Sequence, residues 1–322
     1  MRTRDPEQLV EAAAAGDRAA VARLISLVER GGDGARAAGR LTYPRAGKAY
    51  TVGLTGAPGA GKSTITDRLL AEVRAAGSEV GVLAIDPSSP FSGGAFLGDR
   101  VRMQDHALDP GVFIRSMATR GHLGGLSLAT PEAIRVLDAA GFPLVLVETV
   151  GVGQVEVEIA GSADTTVVVL NPGAGDAVQA SKAGLLEVAD LFVINKADRP
   201  GVGELERDLN NMLDMNMTMG EWRPPILRTV GSTGDGIAEL WGVIEDHRRF
   251  LGDSGELDER RRRRTAVELR KIVVGLLEQR ARRLFGGPDF DHVLDRVIAR
   301  SLDPYTAAEE IVSDLGWDDP LR

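Results

Sequence analysis

Cysteine is absent from this 322-residue chain. Without thiols there is no disulfide and no thiolate-held metal, which fits a reducing compartment and makes a cytoplasmic protein the expectation. Histidine is scarce. His106, His122, His247 and His292 are scattered along the chain and suggest no ligand cluster. Aromatic residues make up 4% of the sequence against 43% apolar, so the core must be built mostly from Ala, Val, Leu and Ile. No apolar run approaches the roughly 20 residues of a membrane span. The opening MRTRDPEQLVEAAAAGDRAA also lacks the apolar centre of a signal peptide, so neither a membrane nor a secretory role is expected. Basic residues number 38 against 47 acidic ones, and the resulting net charge of -9 argues against a general nucleic-acid binder.

What is present falls into three zones. DPEQLVEAAAAG and DRAAVARLISLVERG each open on Asp and close on Gly, the punctuation of short helices, and predict an N-terminal helical hairpin within 1–44. From 45 to 252 short apolar runs alternate with helical patterns. The runs are YTVGL, EVGVLAI, PLVLVE, TTVVVL, DLFVIN and PILRTV, apolar throughout rather than alternating, as strands covered on both faces are. They predict an α/β fold, a doubly wound and mostly parallel sheet. From 253 to 322 the chain reads as charged helix. The arginine run Arg260 to Arg264, beside Asp258 and Glu259, reads as a solvated helix face. Val267, Ile272, Val273, Leu276 and Leu277 lie among those charges. They either mark a dimer interface or fold back onto the preceding domain.

The segment GLTGAPGAGKSTITDRL carries the strongest motif. Gly56 to Ser63 fits G-x-x-x-x-G-K-[ST], between an apolar strand and a helical pattern. Glycines let backbone N–H groups converge on phosphate oxygens, and a helix N-terminus adds its positive dipole end. Gly59, Ala60, Gly61, Lys62, Ser63 and Thr64 are the expected phosphate contacts. Lys62 is assigned to the β- and γ-phosphates and Ser63 to Mg²⁺. Downstream, LFVINKAD ends a buried strand on Asn195, Lys196, Ala197 and Asp198. A carboxylate can accept from both guanine N1–H and the exocyclic amine, whereas adenine offers no such pair. Asp198 is therefore expected to select guanine, with Asn195 bracing loops and the Lys196 stem lying over the ring. Ser232 and Thr233 in TVGSTGDGI stand where a last base-contacting loop is expected. The predicted ligands are GTP or GDP with Mg²⁺.

Glu148 closes another buried strand, in ETVGVGQ, where GTPases usually carry D-x-x-G. Its longer side chain is expected to reach the metal directly or through water, with Gly151 offering an N–H to the γ-phosphate. Val152 follows where many small GTPases position the attacking water, and Gln154 lies farther on, so slow intrinsic hydrolysis is expected. Asp86 ends the strand EVGVLAI, and Asp99 follows in a Gly-, Ser- and Pro-rich loop. Each is either a magnesium-shell residue or, respectively, a turn cap and a surface charge. In NPGAGDAVQASKAG, Asp176, Gln179 and Lys182 recur every third residue and share a helical face. They are either a relay to a partner or the start of an ordinary capped helix.

GAPGAGKST, DPSSPFSGGAFLGDRVRM, TRGHLGGLS, ETVGVGQVEVEIA, NPGAGDAVQASKAG and NKAD together resemble the MeaB/ArgK-type P-loop GTPases. These are bacterial relatives of the human methylmalonic aciduria type A protein, and the resemblance spans nearly the whole chain. It implies a P-loop GTPase domain with a C-terminal helical dimerisation extension, hence a homodimer. It implies a GTPase chaperone of adenosylcobalamin-dependent methylmalonyl-CoA mutase, or a related acyl-CoA mutase. Such a chaperone gates cofactor loading and protects or reactivates the mutase. The resemblance also implies that Asp86, Asp99 and Glu148 surround the magnesium and that Asn171 to Lys182 is a switch facing the mutase. A nickel-maturation GTPase would need Cys and His ligands, whereas here cysteine is absent and the four histidines are scattered. A transport-associated ATPase or kinase is hard to reconcile with a guanine-selective NKAD.

Overall fold

The computed structural model describes residues 5–87, 106, 108–119, 126–149, 161–173, 184–215, 221–282, 285 and 287–313, leaving aside the side chains of 86, 87, 118, 119, 126, 127, 185 and 186. Its centre is one sheet of seven strands: β1 (Tyr50–Thr55), β2 (Val80–Pro87), β3 (Val112–Thr119), β4 (Leu144–Thr149), β5 (Thr165–Leu170), β6 (Leu191–Asn195) and β7 (Ile226–Thr229). All neighbours pair in parallel, in the order β3-β2-β4-β1-β5-β6-β7. The α/β expectation therefore holds, with the sheet wholly rather than mostly parallel.

Six strands coincide with the apolar runs, and β3 does not. It lies at the sheet edge, with Ile114, Arg115 and Ser116 only half-buried. Arg115 points to the helix side, where it donates to Ser26 Oγ at 2.8 Å and Glu29 at 3.2 Å. With one flank only half-covered, β3 tolerates Arg115 and Ser116 in its middle, so it does not read as a continuous apolar run.

The N-terminal pattern also gains an element. Helices α1 (Pro6–Ala14) and α2 (Arg18–Arg30) form the expected pair, and α2 is capped by Asp17, which accepts from Ala19 N and Ala20 N. A third helix, α3 (Gly32–Thr42), follows. Its sequence GDGARAAGRLT contains three glycines, poor helix formers. Burial of Ala35, Ala38 and Thr42 makes it helical.

Helix α4 (Lys62–Ala75) returns from β1 and packs Ile65, Leu69, Leu70 and Val73 against Val52, Leu54, Leu146 and Val167 on one sheet face. Helices α1 and α2, together with α5 (Leu126–Ala139), cover Leu83, Ile85, Val145 and Val147 on the other. The short α6 (Leu185–Val188) precedes β6. Helix α7 (Val202–Met215) buries Leu205, Leu209 and Leu213 against Val168, Phe192 and Ile194. Helix α8 (Ile237–Asp253) follows β7. The chain divides into two compact units, Met1–Thr265 and Ala266–Arg322, and the N-terminal helices belong with the sheet in the first.

The first turns of α9 (Glu256–Ala281) overturn the reading of the arginine run as a solvated face. Arg261 and Arg264 both bind the carboxylate of Asp164, which is 1% exposed, and Arg260 donates to Asp190 Oδ1 at 2.7 Å. Arg262 and Arg263 alone of the five are exposed. Asp164 also accepts from Thr51 N at 3.0 Å, and Asp190 from Thr166 N at 2.8 Å. Both aspartates sit at the start of strands, at the sheet edge opposite the glycine-rich loop. Burial works to raise the Asp164 carboxyl, but Arg261, Arg264 and the Thr51 amide outweigh it and hold it below its ordinary value. For Asp190, burial wins over Arg260 and pushes the carboxyl up. His247 beside them is fully buried, and burial followed by Arg260 pushes its imidazole down to about 3. It is thus neutral. Thr165 Oγ1 lies 2.8 Å from its Nδ1, and Trp222 packs on the ring at 4.7 Å.

The second unit contains the rest of α9, α10 (Pro288–Ile298) and α11 (Pro304–Ser313). Asp303 caps α11 by accepting from Tyr305 N and Thr306 N, and Arg296 of α10 pairs with Glu310 of α11 at 2.7 Å. Val267, Leu269, Val273, Val274, Leu276 and Leu277 are exposed, and α9 buries no residue.

A candidate nucleotide site

Parallel strands deliver their C-terminal ends to one edge, and β1, β4, β6 and β7 each bring a chemically distinct segment there. The loop after β1 needs its glycines for two separate reasons. Gly56, Gly59 and Gly61 have φ of 135°, 76° and 95°, a region L side chains rarely adopt. Space adds a second constraint: a Cβ on Gly56 would lie 2.0 Å from Val169 O, and one on Gly61 would lie 2.2 Å from Asn195 Nδ2. The loop therefore nests against β5 and against the end of β6.

Lys62 opens α4 and is 5% exposed. Its Nζ donates to Gly56 O at 2.6 Å and Ala57 O at 2.9 Å, so the ammonium is held inside the loop. Ser63 follows, buried, and its Oγ donates to Glu148 Oε1 across to β4. Glu148 is 1% exposed and stands in register with Leu54 of β1 and Ala84 of β2. A glycine loop, a helix N-terminus, a buried ammonium and a buried hydroxyl–carboxylate pair converge on one spot, an environment shaped for a polyanion with a hard cation.

Asn195 joins the loops. Its Nδ2 donates to Ala60 O at 2.7 Å, and its Oδ1 accepts from Gly231 N at 3.0 Å and Thr229 Oγ1 at 3.1 Å. One amide side chain thus couples the loops after β1 and β7 through β6. Lys196 takes a left-handed φ of 58°, unusual for a non-glycine residue, and donates to Gly59 O at 2.6 Å. Asn171, at the end of β5, donates to the same carbonyl at 3.2 Å. Asp198 is exposed, at the open rim of the site. Ser232 and Thr233 are exposed as well, and the Thr233 hydroxyl is taken up by Asp235 Oδ2 at 2.8 Å. Thr64 is exposed, with its methyl directed at Gly231.

The structure brings together Gly59, Ala60, Gly61, Lys62, Ser63, Glu148, Asn195 and Lys196. Asp86 occupies the last turn of β2, in register with Ala118, but its side chain lies outside the described set. Asp99, Gly151, Val152, Gln154, Asp176, Gln179 and Lys182 lie outside the described residues. Among the described residues, no three His, Cys, Asp or Glu gather as a metal cluster, and no helix is long and apolar enough to cross a membrane.

Residues 21–284 match the family described as "Methylmalonyl Co-A mutase-associated GTPase MeaB". The chain belongs to the MeaB family. A Pyrococcus abyssi relative is 52% identical over 312 residues, covering 96% of each chain. The mouse "Methylmalonic aciduria type A homolog, mitochondrial" is 35% identical over 276 residues, 80% of this chain and 66% of the mouse protein. The crystal structure of an "LAO/AO transport system kinase" superposes with a TM-score of 0.71 at 29% identity, covering 98% of this chain and 99% of that one. The MeaB resemblance seen in the motifs is thus a family membership, and with it comes the P-loop GTPase fold. Sequence reading passed over one residue of this MeaB site, Arg68, which lies on the exposed side of α4 and reaches the loop after β7. A lone exposed arginine in a helix sends no signal of that contact.

Proposed function

We propose that this MeaB-family protein binds and hydrolyses GTP with Mg²⁺, and serves adenosylcobalamin-dependent methylmalonyl-CoA mutase, or a related acyl-CoA mutase, as a chaperone that gates cofactor loading and protects or reactivates it. The observation that carries the nucleotide reading is Asn195, which ties the phosphate loop to the loop after β7. That link sets the distance between a phosphate end and a base end. Lys62 takes the β- and γ-phosphates, and Asp198, Lys196, Ser232 and Thr233 take the guanine.

Magnesium fits the donors present: Ser63 Oγ and Glu148 are hard oxygens already in contact, and a metal that keeps waters and phosphate oxygens needs few protein ligands. Ser63, Glu148 and Asp86 would hold it, and bound there it would neutralise charge on the transferring phosphate. Slow intrinsic turnover follows from Val152 standing where small GTPases position water. The mutase assignment is supported by the family's description and by the relative named for methylmalonic aciduria. Stimulation of GTP turnover by purified mutase tests it, and an unchanged rate would count against it. Homodimerisation is supported by the exposed apolar residues of α9. Sedimentation of the full chain as a monomer at micromolar concentration would reject it.

The guanine reading has its own test. Calorimetric titration of the wild type should show GDP preferred over ADP by about hundredfold or more, since Asp198, a charged acceptor, takes two hydrogen bonds from guanine that adenine cannot donate. Asp198→Asn should move the preference toward XDP, because the amide donates where xanthine offers an acceptor. Equal affinity of the wild type for GDP and ADP would end the guanine assignment.

A further inference from the structure

The loop after β7 is tied down almost completely by its own amides. Val230 N donates to Asp235 O, Gly231 N to Asn195 Oδ1, and Thr233 N and Gly234 N both to Val230 O. Asp235 N meets Thr233 Oγ1 at 3.5 Å. Of the amides from Val230 to Asp235, that of Ser232 alone has no acceptor among the described residues. Its direction is nevertheless set. In a trans peptide the carbonyl of one residue points opposite to the N–H of the next, and no peptide among the described residues is cis. The carbonyl in question, Gly231 O, is 3.4 Å from Arg68 Nε, and the following one, Ser232 O, accepts from Arg68 Nη2 at 3.1 Å. A planar guanidinium spanning two successive carbonyls fixes the peptide plane between them and turns the Ser232 N–H away from α4. Thr64, one helical turn before Arg68 on the same helix, and Asn195 stand 3.3 Å and 3.4 Å from where a Gly231 Cβ would be, so the loop packs closely at Gly231 as well.

We propose that Arg68 is a positioning residue for purine recognition: by gripping the carbonyls of Gly231 and Ser232 it presents the Ser232 amide as the donor to the purine 6-oxygen. The inference rests on the guanine reading above and adds a division of labour to it. Asp198 reads N1–H and the 2-amino group, while the Arg68-aligned amide reads position 6. Arg68 touches no substrate and acts only through the loop. Because its guanidinium is a fork, a single ammonium on a flexible stem reproduces half of the grip.

The experiment measures dissociation constants of the full chain at pH 7 for GDP, IDP and 6-thio-GDP, in the wild type, Arg68→Met and Arg68→Lys. Methionine keeps the stem and removes the donors. The wild type should bind 6-thio-GDP several-fold more weakly than GDP, sulfur being the poorer acceptor. Arg68→Met should weaken GDP about three- to tenfold, the worth of one hydrogen bond, and bring the ratio of GDP to 6-thio-GDP affinity toward one. The ratio of GDP to IDP should stay at its wild-type value, since the 2-amino group belongs to Asp198. Arg68→Lys should recover part of the loss. The proposal is overturned if Arg68→Met binds GDP as the wild type does, if it loses GDP and 6-thio-GDP affinity by the same factor, or if the wild type ignores the oxygen-to-sulfur exchange. A wild type that fails to prefer GDP over ADP sinks the guanine reading itself. A wild type that prefers GDP while Arg68→Met changes nothing sinks only the role of Arg68.

Discussion

Replacing Lys62 with alanine is expected to lower single-turnover GTP hydrolysis by about hundredfold or more, the cost typical of deleting one preorganised donor to a developing oxyanion. The ammonium is buried at 5% exposure and fixed by the Gly56 and Ala57 carbonyls, so it meets the phosphates already desolvated and in place. Charge that builds on the γ-phosphate oxygens is stabilised without reorganising water, and no neighbour among the described residues supplies a second ammonium at that spot. Lys62→Arg is a poor substitute, because a planar fork does not fit a cradle shaped around a compact point charge. Rapid-quench phosphate release at saturating GTP measures the effect. Turnover within threefold of wild type would move the catalytic cation elsewhere.

Asp164→Ala should destabilise the folded chain by about 3–5 kcal/mol, the range for breaking a buried ion pair by removing one partner. Asp164 is 1% exposed and receives Arg261, Arg264 and the Thr51 amide. Its loss leaves two half-buried guanidinium groups and a strand-edge amide without their acceptor. Arg262→Ala and Arg263→Ala, on the exposed flank of the same run, should each change stability by no more than about 0.5 kcal/mol. Urea unfolding at pH 7 separates the two outcomes, and an Asp164→Ala midpoint equal to that of Arg262→Ala would contradict the network. The sign of the pH dependence follows from the depressed carboxyl of Asp164. Its stabilisation is fully present above the unfolded value near 3.9 and is lost as pH falls through the lower folded value. The gap between wild type and Asp164→Ala should therefore persist down to about pH 4 and close below it.

Much of the site was legible before any coordinates, because its parts are local. Gly56 to Ser63 is contiguous, and the reasons for its glycines, backbone angle and close approach, act within a few residues. Asn195 to Asp198 is contiguous too and follows a buried run that announces its strand. The exposed rim position of Asp198 was not legible, since solvent access depends on what surrounds a loop. The contact of Ser63 with Glu148, 85 residues apart, was expected only by analogy with P-loop proteins; register beside β1 and β2 brings the two together.

By itself the sequence determined the apolar strands β1, β2 and β4 to β7, the glycine-rich loop, the NKAD segment at the end of β6 and the family. Each is written in short-range pattern, where residue spacing and burial on both faces leave few alternatives. Tertiary structure alone decided the edge strand β3, whose half-covered flank tolerates Arg115 and Ser116. It decided α3 as well, where burial of Ala35 and Ala38 overrides three glycines. It also decided the meaning of the arginine run. As a string, Arg260 to Arg264 is indistinguishable from a solvated face, and only the folding of the sheet brings Asp164, 97 residues before Arg261, beneath it. Charge in sequence carries no record of its partner; the dielectric around it and the carboxylate it meets are properties of the packed chain.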